Sequence, residues 1–73
     1  MLKKRSFALS GHRTSVALEP EFWAALEEDA AERRLALAAL VGAVDATRGE
    51  RNLASALRIH ALERASRKAA PPA

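Results

Sequence analysis

The stretch SGHRTSVALEPEFWAAL, Ser10 to Leu26, decides the fold. Thr14, Val16 and Leu18 alternate with Arg13, Ser15 and Ala17. A period of two that uses Val and Thr predicts a strand over 13–18. Glu19-Pro20 ends that strand, because Pro has no N–H to give a ladder yet suits the first turn of a helix. The acids around it favour the positive end of the helix dipole. A first helix is therefore predicted from Pro20 to Arg34. Its apolar stripe is Phe22, Leu26 and Ala30, with Trp23 and Ala25 beside them, and its wet side is Glu21, Glu28, Asp29 and Glu32.

Working upstream, Phe7 and Leu9 alternate with Ser6, Ala8 and Ser10, which predicts a weaker strand at 6–10. Ser10-Gly11-His12 reads either as a hairpin turn or as a bulge within one bent strand. Residues 1–5 read as a flexible basic arm. Downstream, no Gly, Pro or capping Ser marks the next break, but the apolar stripe restarts near Leu35–Ala36. Leu37, Leu40, Val41 and Val44 recur at i, i+3, i+4 and i+7 and predict a second helix that ends around Thr47–Gly49. Asn52 is placed to cap a third helix from Leu53 to about Arg67. On that helix Leu53, Ala56, Leu57 and His60 share one face, while Ile59 and Leu62 lie elsewhere. A helix that is apolar on two sides is covered from two sides. One domain is expected over 6–67, followed by a disordered tail at 68–73.

The 73-residue length supports a single modest core, and many of its apolar residues are Ala, which bury little area. Sharing the core with a second copy is an economical remedy. The chain has no Cys, which removes disulfides and thiolate metal sites, and only two His, so no cofactor or metal is expected. The longest apolar run, Leu35 to Val44, has about half of the roughly 20 residues that a membrane span needs. The basic N-terminus lacks the apolar core of a signal peptide, so a soluble, cytoplasmic protein is expected. Ser10, His12 and Asp45 have no spacing that supports a hydrolase triad, and no phosphate-binding loop is present, so no enzyme is expected. Trp23 and Phe22 read as packing residues, His60 as a satisfied histidine and His12 as a turn residue.

Net charge is only +3, and its distribution says more. Residues 1–18 hold Lys3, Lys4, Arg5 and Arg13 and no acid, whereas the first helix is acidic. A local basic patch attracts phosphate. A lone strand also presents unpaired N–H and C=O groups. Pairing it with the same strand of a second chain yields an antiparallel ribbon with Arg13, Ser15 and Ala17 facing solvent. Such a ribbon, covered by helices on one face, fits the DNA major groove.

The segment RTSVALEPEFWAAL, followed by LALAALVGAV, resembles the ribbon-helix-helix family of the Arc and methionine repressors. More narrowly, GHRTSVALEPEFW with LVGAVDATR and NLASALRIHALE is similar to a group of short proteobacterial members. The resemblance covers about residues 3–65. It implies an α+β, mostly α fold, a ribbon-helix-helix unit with an added C-terminal helix, built as an obligate, intertwined homodimer sharing one two-stranded ribbon. It further implies a transcriptional regulator that binds double-stranded DNA. Carried over, Arg13, Ser15 and Ala17 contact bases, while Ala36, Leu37 and Ala38 hold a phosphate at the start of the second helix. The arm residues Lys3, Lys4 and Arg5 are a second candidate phosphate contact. The alternative is a small homodimeric protein-interaction or antitoxin-like module that binds a protein partner through its C-terminal helix.

Overall fold

A computed structural model of the chain describes residues 1–69. Its elements run in the order β1 (Lys3–Leu9), β2 (His12–Leu18), α1 (Pro20–Glu32), α2 (Leu37–Thr47) and α3 (Leu53–Ala69). The expected strand at 13–18 is therefore β2, and its partner is β1 of the same chain, paired antiparallel. The strand thus has a partner within its own chain, beyond the one strand per chain that was expected. The reason lies in Ser10 and Gly11, whose φ values of 51° and 80° are both left-handed. Two such residues make the tight turn whose twist matches flanking strands, so the open choice at 10–12 resolves to a hairpin.

The register runs from Leu9↔His12 at the turn to Lys3↔Leu18 at the open end. Lys3, Lys4 and Arg5 thus belong to β1 and not to a flexible arm. Their order comes from the ladder to β2, and the Lys3 carbonyl also accepts a 2.8 Å hydrogen bond from Trp23 Nε1. At the other terminus Lys68 and Ala69, expected in a disordered tail, continue α3; the rest of that expected tail lies outside the described residues.

Pro20 opens α1 as its first residue, after Glu19 in extended conformation. The helix stops at Glu32, two residues short of the expected end. Arg34 adopts φ 58° there, its N–H bonds the Ala31 carbonyl, and the Leu35 N–H bonds the Ala30 carbonyl. That pair of bonds is a Schellman ending with Arg in the position that Gly usually takes. Asn52 caps α3 as expected, its Oδ1 accepting from the Ser55 N–H at 2.8 Å.

The core lies between the hairpin and the three helices. Phe7, Leu9, Val16 and Leu18 descend from the inner face of the hairpin onto Trp23, Leu26, Leu40, Val41 and Leu57. Leu37 is half-buried, and Leu40, Val41 and Val44 bury the predicted stripe of α2. One correction concerns Asp29, expected on the wet side of α1. It is the one buried charged residue among those described, because its position three residues beyond Leu26 keeps it within the stripe.

Asp29 is held from both helices. Arg33 Nε donates to Oδ1 at 2.8 Å, His60 Nε2 lies 2.7 Å from Oδ2, and Arg64 Nε lies 3.1 Å from Oδ1. Burial acts to raise the Asp29 carboxyl, but the hydrogen bonds from Arg33 and His60 outweigh it and hold the group below its ordinary range. His60 is thus the satisfied histidine that its place on an apolar face predicts. Around this buried centre, Glu28 and Glu32 of α1 pair with Arg64 and Lys68 of α3. The acidic face of α1 is neutralised within the chain.

Candidate nucleic-acid interface

Residues directly opposed in an antiparallel pair point to the same face. The register therefore groups Lys4 with Ala17, Ser6 with Ser15 and Ala8 with Arg13 on the outer face of the hairpin. All six are exposed except Ala17, which is half-buried. The Ser6 and Ser15 hydroxyls meet across the strands at 2.9 Å and hold the middle of that face. The helices cover only the opposite side.

Arg13, Ser15 and Ala17 are thus brought together as expected, and Lys4 joins them. Ser6 and Ala8 complete the surface and were not anticipated. The Ser-Gly dipeptide at the turn was the available signal, since a two-residue loop puts β1 beside β2 at fixed register. Arg13 and Lys4 form no ion pair among the described residues, whereas Arg5 does. Being opposite Val16, Arg5 falls on the inner face, where its guanidinium lies 5.0 Å from the Trp23 ring centroid and 2.5 Å from Glu27. Lys3, opposite Leu18, shares that face. The basic trio is therefore split between the two faces.

The remaining predicted phosphate contacts lie at the start of α2. Ala36 is its N-cap, in extended conformation with no side-chain cap, and its carbonyl accepts from the Ala39 and Leu40 N–H groups. Leu37 and Ala38 supply the first two N–H groups of the helix, which are the ones an α-helix leaves without an internal partner. Leu37 is half-buried and Ala38 exposed. Ala36 to Ala38 sit apart from the hairpin face in sequence and on a separate element.

The order strand, Pro, helix, break, helix survives in the structure, and the sequence profile of the ribbon-helix-helix domain matches residues 2–65. The chain belongs to the ribbon-helix-helix family. No curated protein and no solved structure gives a significant match to it. Within this ribbon-helix-helix chain, β2 pairs with β1 in a hairpin and the domain is extended by α3. Among the described residues, no helix is long and apolar enough to cross a membrane.

Proposed function

We propose that this ribbon-helix-helix protein is a cytoplasmic, homodimeric transcriptional regulator that places the outer face of its hairpin in the DNA major groove. Proteins of the family are in general DNA-binding regulators or antitoxins. The observation that carries the reading is the outer face itself, where Arg13, with no ion pair among the described residues, stands between the turn and the Ser6–Ser15 pair. A two-stranded ribbon is narrow enough for a groove about 12 Å wide. Arg13 has the reach and fork geometry for guanine O6 and N7, Ser15 can bond any base edge, and Ala17 offers a methyl to thymine. Lys4, Lys3 and the N–H groups of Leu37 and Ala38 serve phosphates. Arg5 is committed to Glu27 and Trp23 and leaves that set.

The test is selection of genomic fragments by the purified protein at near-physiological salt. Enrichment of a two-fold symmetric sequence is expected, since a symmetric dimer reads two half-sites. Uniform weak retention would overturn the reading in favour of a protein-binding module.

A further inference from the structure

Ser6 of β1 and Ser15 of β2 stand directly opposite each other, both exposed, with their hydroxyl oxygens 2.9 Å apart. A two-residue loop is closed by a pair that exchanges both backbone hydrogen bonds, which here is Leu9↔His12. Alternation along the ladder then makes Ser6↔Ser15 a pair without backbone hydrogen bonds. Such pairs bring their Cα atoms to about 4.5 Å and their side chains into contact. The meeting of the two hydroxyls thus follows from the register. Lys4↔Ala17 flanks it on one side and Ala8↔Arg13 on the other, so each flanking pair holds one cation and one methyl group. Neither hydroxyl has another hydrogen-bond partner among the described residues.

A lone serine hydroxyl turns freely and can donate or accept, so it bonds either kind of base edge. Two bonded hydroxyls are more restricted. One gives its proton to the other and has only lone pairs left to offer, while the other keeps a proton to donate. The pair therefore presents one donor and one acceptor side by side, in the manner of the amide with which Asn or Gln meets adenine. In the major groove adenine alone places a donor, N6, and an acceptor, N7, on one base, whereas guanine offers two acceptors, O6 and N7. Over guanine, the hydroxyl without a free proton would face an acceptor, and the bond between the serines would have to break.

We propose that Ser6 and Ser15 act as one hydrogen-bonding unit that recognises adenine, which makes Ser6 of β1 a specificity-determining residue. This rests on the reading of the outer face as a DNA-binding surface and adds the base that the middle of that face selects. Ser15 supplies one half of the unit. Ser6 supplies the other and removes the freedom that would let Ser15 accept any base.

The test is selection from a pool of random duplexes by the wild type, Ser6→Ala, Ser15→Ala, the double alanine variant and Ser6→Thr. Both serines are exposed, so every variant should keep the helical circular dichroism of the wild type. At the site position that Ser15→Ala alters, the wild type should select adenine over guanine by about tenfold, a modest value for one bidentate contact. Ser6→Ala should lose that preference as fully as Ser15→Ala and the double variant do, because the one hydroxyl left can donate to N7 of either purine. Ser6→Thr keeps the hydroxyl and should retain the preference. Three outcomes would overturn the proposal and leave the regulator reading standing: an adenine preference that survives Ser6→Ala, a different base at the position that Ser15→Ala alters, or no altered position. A wild type that enriches no sequence would remove both.

Discussion

Arg13 and Arg5 carry the same side chain on neighbouring strands and have opposite surroundings. The inner face holds Arg5 against Trp23 and Glu27, while Arg13 stands on the outer face without an ion pair among the described residues. Arg13→Ala should remove a base contact worth about 1–3 kcal/mol of discrimination, so affinity for the preferred duplex falls toward that for random DNA. Lys4→Ala should weaken all sequences alike and lower the log–log salt slope by about 0.9 per protomer. Arg5→Ala should leave discrimination intact and shift only the thermal midpoint. Fluorescent duplexes titrated at several salt concentrations read all three. An equal loss on every sequence for Arg13→Ala would mean that the ribbon reads no bases. Arg34 makes a second residue-scale case, since a non-glycine residue pays about 1–2 kcal/mol at its φ of 58°. Arg34→Gly should hold or raise the denaturation midpoint, and β-branched Arg34→Val should lower it by about 1 kcal/mol or more.

At the scale of elements, the hairpin and the α1–α3 contact behave differently. The hairpin depends on register, because a slip of one residue exchanges its faces. Val16→Asp would bury an unpaired carboxylate against Leu18 and Leu57 and should abolish folding, seen as loss of helical circular dichroism. Ser15→Asp on the outer face should fold and bind DNA less well, by repulsion of phosphate. The α1–α3 contact depends on charge. The carboxyl of Asp29 is held below its ordinary 3.8, so its contribution to stability is complete above that value and is lost as pH falls through the lowered one. Glu28, held down first by Lys68 and then by Arg64, acts with the same sign. Urea midpoints should therefore fall as pH drops below about 4, and the fall should be shallower in Asp29→Asn. Asp29→Ala should cost about 3 kcal/mol at neutral pH, because it strands the groups that surround the carboxylate. A pH profile for Asp29→Asn as steep as that of the wild type would remove Asp29 from this role.

The whole molecule encloses its core within one chain: Leu18, Leu26, Val41 and Leu57 are fully covered without a second copy. α3 is responsible for much of that closure, because its Leu53, Ala56, Leu57 and Ala61 face inward while its basic residues grip the acids of α1. Association with a second copy, as the proposed homodimer requires, would therefore add to a core that is already covered. On dilution, sedimentation should show dimers separating over a range in which helical circular dichroism stays constant. Coincident loss of mass and helix would instead make folding and association one equilibrium.

The sequence by itself determined the helices, the strand at 13–18 and which of its residues face outward. Each of these follows from local periodicity, from Pro20 and from a capping Asn52, and none needs knowledge of distant neighbours. The outward-facing trio was legible for the same reason: alternation alone sorts Arg13, Ser15 and Ala17 from Val16 and Leu18. Tertiary structure decided what lay across from these elements. Lys3 to Arg5 have no apolar alternation, so only pairing with β2 makes them a strand. Asp29 reads as surface by its charge, and only the approach of His60 and Arg64 from α3 allows it to be buried. β1 folds back on β2 because Ser10 and Gly11 both accept left-handed backbone, which alternation alone does not reveal. Periodicity records which way a side chain points; the partner it meets is set by contacts between residues far apart in the chain.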